Sequence, residues 1–309
     1  MIPEDDTPVT VLYGGVGPER DVSLKTGAAL IGALEESFPV NAVELREAAL
    51  PAFLDPAASV VFPALHGEFG EDGALQTLLE RGRFEYAGSD SISSALCMDK
   101  ERTKKTAAAA GVRVPESIVL EPGEAPDAGR IRDRLGDRIV IKPVAGGSST
   151  HLAVVRGIGE LLRRLDALPD QRWILETFID GRELSIGLLN GIGQGVVEIL
   201  PQGGVYDYRH KYTAGLTEYR WPAVLDPGVE AVVRWWAETV FAVCGCRDFA
   251  RADFRLDDEG PCFLEINTIP GLTAESLLPK SAACRGLSFE DLAAELVRPA
   301  LNRFHRRRG

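Results

Sequence analysis

The sequence predicts a doubly wound α/β first third, a small α+β unit after it, and a further strand-rich region built around one long helix. Three observations predict this. Short β-rich runs alternate with helical stretches up to about Met98, the order that gives a parallel sheet with helical crossovers. Beyond Met98 a Lys- and Ala-rich helical stretch gives way to closely spaced short strands. The last third places strands on both sides of a long helical pattern.

The elements follow in order. Val9 to Tyr13 is a β-rich run ending in Gly14-Gly15, and Ser23 suits the N-cap of a helix through Glu36. Val43 to Leu45 and Ser59 to Ala64 are strands, Gly73 to Arg81 a helix, and Phe84 to Ala87 a further strand. Asp99 to Ala110 is a strong helix. Strands are expected at Ser117–Leu120, Ile139–Lys142, Leu152–Val155 and Trp173–Glu176, with a helix over Ile158 to Leu165. The final third carries strands at Glu183–Leu189, Val196–Leu200, Ala250–Leu256 and Cys262–Ile266, and a helix over Gly228 to Cys244. A last helix starts at Ser288, whose partner three residues on, Asp291, suits a capping arrangement.

Composition narrows the function. The chain has 309 residues and a net charge of −12, from 34 Lys and Arg against 46 Asp and Glu. That balance opposes a general nucleic-acid footprint. The longest uncharged run, Leu184 to Val197, falls short of the roughly 20 apolar residues of a membrane-crossing helix, so no membrane partner is expected. The acidic start, MIPEDD, lacks the basic character of an export signal. Five cysteines, an odd count with no framework, are expected to be the reduced thiols of a cytoplasmic protein. Cys244-Gly-Cys246 has no second pair and no nearby histidine to complete a zinc site.

Three stretches carry chemistry. In Arg251-Ala-Asp253 and Glu265-Ile-Asn267 the charged and polar residues are two apart, so on strands each pair shares a face. Asp257-Asp-Glu-Gly260 is a turn between them. Pairing in a hairpin can bring Asp253, Glu265 and Asn267 onto one patch, and three hard oxygen donors suit Mg²⁺ or Mn²⁺. An ordinary charged surface hairpin is the alternative. The second stretch, Lys142 to Thr150, runs from a strand into two glycines and three hydroxyls. Such a loop either cradles phosphate oxygens with its N–H groups or is a plain flexible turn. The third, Gly14 to Ser23, lies where a nucleotide-binding loop would lie, but Pro18 and Glu19 depart from that pattern. There Glu19 is placed to meet a substrate ammonium, or the stretch simply starts a helix. Only seven of the basic residues are lysines, and Lys100, Lys142 and Lys211 each stand beside such a motif. A compact ammonium is a usual phosphate partner.

The stretches GGVGPERDVSLKTG, FPALHGEFGEDGALQTLLE, YAGSDSISSALCMDKERTK, YDYRHKY, RADF and FLEINTIPGLTAESLLP resemble, in order, the motif series of the D-alanine–D-alanine ligases of the ATP-grasp superfamily. The resemblance runs from about Val11 to Leu292. It implies an ATP-grasp fold with an N-terminal Rossmann-like domain (1–96), a central domain (97–182) and a C-terminal domain with the metal site (183–309), ATP lying between the last two. It implies ligation of two D-alanines through an acyl phosphate, with two Mg²⁺ or Mn²⁺ ions, in a cytoplasmic homodimer serving peptidoglycan synthesis.

Position by position, the resemblance gives the metal ions to Asp253, Glu265 and Asn267. It gives phosphates to Lys100, Lys142 and Lys211, and the adenine and ribose to Glu176 and Glu183. Glu19 and His66 belong to the first D-alanine, and Ser276 to the carboxylate of the second. Arg251 and the N–H of Gly271 form the oxyanion site. Ser148, Tyr212 and Glu19 form a hydrogen-bonded set that closes the loop over the site. Tyr212 also speaks against a D-lactate acceptor. Two departures stand out. The loop usually read S-R-E-G-S-S-V-G is Val144-Ala-Gly-Gly-Ser-Ser-Thr-His151, and an expected Glu-Lys pair is Glu176-Thr177. They predict weaker loop closure and leave room for a relative with another acceptor, such as D-lactate or D-serine, or a non-catalytic nucleotide-binding paralogue.

Overall fold

The computed structural model describes residues 6–147, 152–203, 213 and 215–308. Its strands form three sheets among these residues. The first is parallel, in the order β2-β1-β3, from β1 (Val9–Gly14), β2 (Val40–Leu45) and β3 (Val60–Pro63). Helix α1 (Arg20–Leu34) is the crossover between β1 and β2. Every β3 residue is buried, as is most of β1, the pattern of strands covered on both faces.

Two expectations are corrected here. The first helix starts ahead of Ser23, with Glu19 at its N-cap. Ser23 Oγ instead accepts from Gly14 N at 2.8 Å and donates to the Ala64 carbonyl at 2.5 Å. The hydroxyl therefore clamps the ends of β1 and β3. Glu19 makes no side-chain cap bond. The expected strand at Phe84–Ala87 is reduced to one parallel bridge, Val61 to Tyr86. Gly88 turns away at φ 97° and its N–H is taken by Asp248 Oδ2 at 2.9 Å, so the ladder ends there.

Helices α2 (Ala74–Arg81), α3 (Ser91–Met98) and α4 (Lys100–Ala109) lead out of the first sheet. Asp90 and Asp99 cap α3 and α4, accepting from Ser93 N and Arg102 N at 2.8 and 2.9 Å. The second sheet, β4-β7-β5-β6, is antiparallel: β4 (Ser117–Leu120), β5 (Arg138–Pro143), β6 (Ala153–Arg156) and β7 (Trp173–Thr177). Helices α5 (Ala128–Leu135) and α6 (Gly157–Asp166) pack Ile131, Leu135, Leu161 and Leu165 against Ile139, Ile141 and Trp173.

The third sheet, β10-β9-β8-β11-β12, is also antiparallel: β8 (Arg182–Leu189), β9 (Ile192–Pro201), β10 (Thr217–Arg220), β11 (Phe249–Asp257) and β12 (Gly260–Asn267). Helix α7 (Pro227–Val243) buries Val233, Ala237, Val240 and Phe241 against it. Helices α8 (Leu277–Ala283) and α9 (Phe289–Arg308) close the chain. Ser288 and Asp291 cap α9 as expected, with Asp291 N donating to Ser288 Oγ at 3.0 Å. Helix α9 returns to the first sheet, where Leu296, Ala300 and Phe304 share a core with Leu30 and Phe62. Phe62 stacks on Phe249 of β11, centroids 5.7 Å apart, so the first and third sheets meet through aromatic packing.

All five cysteines are free thiols. Cys97 of α3 brings its Sγ to 3.6 Å from that of Cys246, a neighbour that the linear Cys-Gly-Cys does not reveal. No helix among the described residues is long and apolar enough to cross a membrane.

Candidate active site

The hairpin forms as expected, with a β-bulge between Asp253 and Phe254 that shifts its register. Asp253 on β11 faces Glu265 on β12, and Arg251 faces Asn267. Asp253 is buried and fully bonded. It accepts from Ser185 Oγ at 2.7 Å, Arg251 Nε and Nη2 at 2.9 and 2.7 Å, and Asn267 Nδ2 at 3.2 Å. Among the described residues no three His, Cys, Asp or Glu side chains group into a metal cage. Two carboxylates and an amide make an all-oxygen set too small to enclose an ion. That set fits a hard divalent ion that keeps water or takes its remaining oxygens from a phosphate.

Three cavities run into one another past this hairpin. One is largely apolar, with Val140, Phe178 and Leu264 beside Glu176, Glu183 and Arg255. It shares Lys142, Leu152, Glu183 and Leu264 with a second cavity, which adds Lys100, Gly146, Asp253, Glu265 and Asn267. The second shares Glu71, Gly147 and Asn267 with a third, lined by Glu19, His66, Arg251, Gly271 and Ser276. The sites expected from the sequence are therefore brought together along a single cleft. Ser148, Lys211, Tyr212 and the loop residue His151 lie outside the described residues.

At the junction of the first two cavities, Lys142 Nζ pairs with Glu176 Oε2 at 2.8 Å. Lys104 of α4 pairs with Glu176 Oε1. All three groups are buried. Burial would raise the Glu176 carboxyl, but the two ammonium groups hold it below the usual range. Burial is also the largest influence on each lysine. It prevails at Lys104, which is lowered, whereas at Lys142 the charges of Glu176 and Glu265 outweigh it and the ammonium is raised. Lys100 Nζ donates to the Gly146 carbonyl at 2.6 Å, and Gly146 N approaches Met98 Sδ at 3.3 Å. Two anchors from α3 and α4 thus hold the start of the Gly-rich loop.

At the far end the Glu19 carboxylate is enclosed by glycines. A Cβ on Gly67 or Gly147 would fall 2.8 or 2.6 Å from Glu19 Oε1. His66 Nε2 lies 2.9 Å from Thr26 Oγ1. Burial, aided by the Arg251 charge, lowers its imidazole to about 4 against a main-chain bond at Ile269, so His66 is neutral at neutral pH. Glu71 accepts from Gly67 N at 2.8 Å. Removal from water, then the Glu19 charge, raises its carboxyl to about 8. Ser276, at the start of α8, accepts from Thr273 N at 3.1 Å. A Cβ on Gly271 would meet Ser276 Oγ at 3.0 Å, so the two sit in tight contact.

The family model for the D-Ala–D-Ala ligase C-terminus matches residues 107–298. A D-alanine–D-alanine ligase of Syntrophotalea carbinolica is 38% identical over 94% of each chain. One from Aquifex aeolicus is 39% identical over 94% of this chain and 99% of its own. The chain belongs to the D-alanine–D-alanine ligase family. Its fold is accordingly the ATP-grasp fold. The crystal structure of the Bacillus anthracis D-alanine–D-alanine ligase complexed with ATP superposes with a TM-score of 0.85 at 28% identity, over 97% of this chain and 99% of that one. The VanG D-Ala:D-Ser ligase of Enterococcus faecalis gives 0.84 at 28%, over 96% and 100%.

In and directly behind this ligase-family cleft, sequence reasoning missed Lys104, Glu71 and Arg255. Lys104 did carry a signal, as one of seven lysines and one turn of helix beyond Lys100. Arg255 continues the two-residue alternation of Arg251 and Asp253 along β11. Glu71 stands in the Gly-Glu-Asp-Gly run beside acidic neighbours, with no local sign that its carboxyl is raised.

Proposed function

We propose that the protein joins two D-alanines into D-alanyl-D-alanine at the cost of ATP, which becomes ADP and phosphate. The observation that carries this reading is the continuity of the cleft. An apolar cavity opens into one with lysines and a carboxylate hairpin, and that opens into one with Glu19, Arg251 and Ser276. A nucleoside, a polyphosphate and an amino-acid pair fit that order, and phosphoryl transfer depends chiefly on such alignment and charge neutralisation.

In this reading Glu176 and Glu183 serve the adenine and ribose, and Lys100, Lys142 and Lys211 hold phosphates. Asp253, Glu265 and Asn267 hold two Mg²⁺ or Mn²⁺ ions, which neutralise phosphate charge when bound. Glu19 pairs with the ammonium of the first D-alanine, with His66 beside it, so the substrate carboxylate faces the γ-phosphate. Attack by that carboxylate gives an acyl phosphate and ADP. Ser276 binds the carboxylate of the second D-alanine and aims its amine at the acyl carbon. Arg251 and the Gly271 N–H stabilise the oxyanion of the tetrahedral intermediate, from which phosphate leaves. Ser148, Tyr212 and Glu19 orient the first substrate as the loop closes.

The chain then divides into units 1–96, 97–182 and 183–309 that clasp ATP. It works as a homodimer in the cytoplasm, where ATP is available, and serves peptidoglycan precursor synthesis. D-serine as acceptor is the second reading, favoured by the likeness to the Enterococcus faecalis D-Ala:D-Ser ligase. Phosphate release measured with D-alanine alone, and with D-alanine plus D-serine or D-lactate, tests all of these. Rapid release with D-alanine alone is expected. No release with any combination would overturn the reading.

A further inference from the structure

Arg255 sits two residues beyond Asp253 on β11, on the same face of the sheet, and lines the apolar cavity with Glu183, Phe178 and Leu264. Its side chain is 11% exposed. Two of its nitrogens are fixed: Nη1 donates to Glu183 Oε2 and Nη2 to the Gly181 carbonyl, both at 3.0 Å. Its guanidinium carbon stands 4.9 Å from the centroid of the Phe178 ring, on which Arg138 also stacks at 3.5 Å. Of its three other N–H groups, the Nε–H is buried and has no acceptor among the described residues. A buried donor left unpaired is costly, and here it belongs to a residue in the wall of the cleft.

We infer that Arg255 recognises the sugar of the bound nucleotide, one of the unengaged N–H groups of its guanidinium donating to a ribose hydroxyl oxygen while Glu183 accepts that hydroxyl's proton in a hydrogen bond. A hydroxyl offers one donor and two acceptor lone pairs. A paired carboxylate and guanidinium complement it in both senses, whereas a deoxy carbon satisfies neither. Among the described residues the other cation lining this cavity, Lys142, is engaged with Glu176, and Thr177 spends its hydroxyl on the Leu135 carbonyl at 3.0 Å. Arg255 is thus the cation placed beside Glu183. Its contacts with Phe178 and Gly181 fix it before the nucleotide arrives, so little ordering cost falls on binding.

The inference rests on the reading of this cleft as an ATP site. Titration calorimetry with ATP, 2′-deoxy-ATP and 3′-deoxy-ATP in the presence of magnesium tests it on the wild-type protein and on the Arg255→Met and Arg255→Lys variants. The wild type is expected to bind ATP about tenfold tighter than at least one deoxynucleotide. Arg255→Met should bind ATP at least fivefold more weakly and hold all three nucleotides within about twofold. Arg255→Lys should keep part of the affinity but not the discrimination. Equal wild-type affinity for the three nucleotides, a result that needs no variant to fold, would overturn the inference while leaving the ATP site intact. Undiminished discrimination in a folded Arg255→Met protein would do the same. Failure of the wild type to bind ATP at all would overturn both the nucleotide reading and the role of Arg255.

Discussion

Gly147 lies against Glu19 so closely that a methyl group on the glycine would come within 2.6 Å of Glu19 Oε1. One residue belongs to the loop that leaves β5, the other to the start of α1, so this contact joins the central sheet's loop to the first sheet's helix. Gly147→Ala must displace either the loop or the carboxylate. A Cβ on Gly67 would also fall 2.8 Å from the same oxygen, so the carboxylate is hemmed in by both glycines. The expected outcome is a fall in kcat/KM for D-alanine of at least about tenfold, roughly 1.4 kcal/mol of barrier, with the melting temperature nearly unchanged. Steady-state kinetics that stay within threefold of wild type would remove the contact from the catalytic account.

Glu265 stands opposite Asp253 in the hairpin, but Arg251 offsets the charge of Asp253 directly. Glu265→Gln keeps the shape and removes one negative charge from the proposed metal set. Turnover should be lost while thermal stability stays near native. Turnover within about threefold of wild type, a barrier change under roughly 0.7 kcal/mol, would show that the hairpin does not hold the metal.

Lys104 and Lys142 share Glu176, yet only Lys142 lines the cavities. Lys→Met at each should therefore separate stability from nucleotide use. Removing one partner of a buried ion set costs on the order of 3–5 kcal/mol, so both variants should unfold at lower urea concentration. Calorimetry should show ATP affinity at least about tenfold weaker in Lys142→Met, and much less changed in folded Lys104→Met. Equal affinity losses in the two variants would tell against Lys142 as a phosphate ligand.

The carboxylate hairpin was partly legible because much of its information is local. Alternation of two residues puts Arg251 and Asp253 on one face, but the turn at Asp257–Gly260 alone would set Asp253 opposite Leu264, and it is the β-bulge between Asp253 and Phe254 that brings Glu265 opposite it. The crossover helix was legible from the strand-then-helix order of the first third, although its expected N-cap, Ser23, lies inside it. Helix α3, rich in Ser and with Ile92 exposed, has a weak helical pattern and depends on Asp90 for its start. Strand β10, partly exposed throughout, pairs only with β9. The short α8 is almost wholly buried and lies between the sheet and α9, so no amphipathic stripe marks it. Within the site, the raised Glu71 carboxyl and the Lys104–Glu176 pair arise from burial among residues distant in sequence, a property that no spacing rule carries.

His66 gives the protein an acid-sensitive group of predictable sign. In the unfolded chain its imidazole titrates near the ordinary value of 6.5, and in the folded chain burial lowers it to about 4. Between those values the unfolded state binds more protons, so the stabilising contribution is fully present above about pH 6.5 and is lost as pH falls toward 4. From pH 7.5 to 5 the loss amounts to about 2 kcal/mol, at 1.36 kcal/mol per pKa unit. His66→Gln can keep a hydrogen bond to Thr26 Oγ1, the atom 2.9 Å from His66 Nε2, but has no proton to gain. Urea unfolding at the two pH values should show wild type weakening more than the variant by about that amount. The direction is specific: a His66 stabilised as imidazolium by Glu19 or Glu71 would make wild type gain stability relative to the variant on acidification. Equal pH dependence in the two proteins would mean that His66 is solvated rather than enclosed, and the cavity it shares with Glu19 and Arg251 would then be more open than its lining implies.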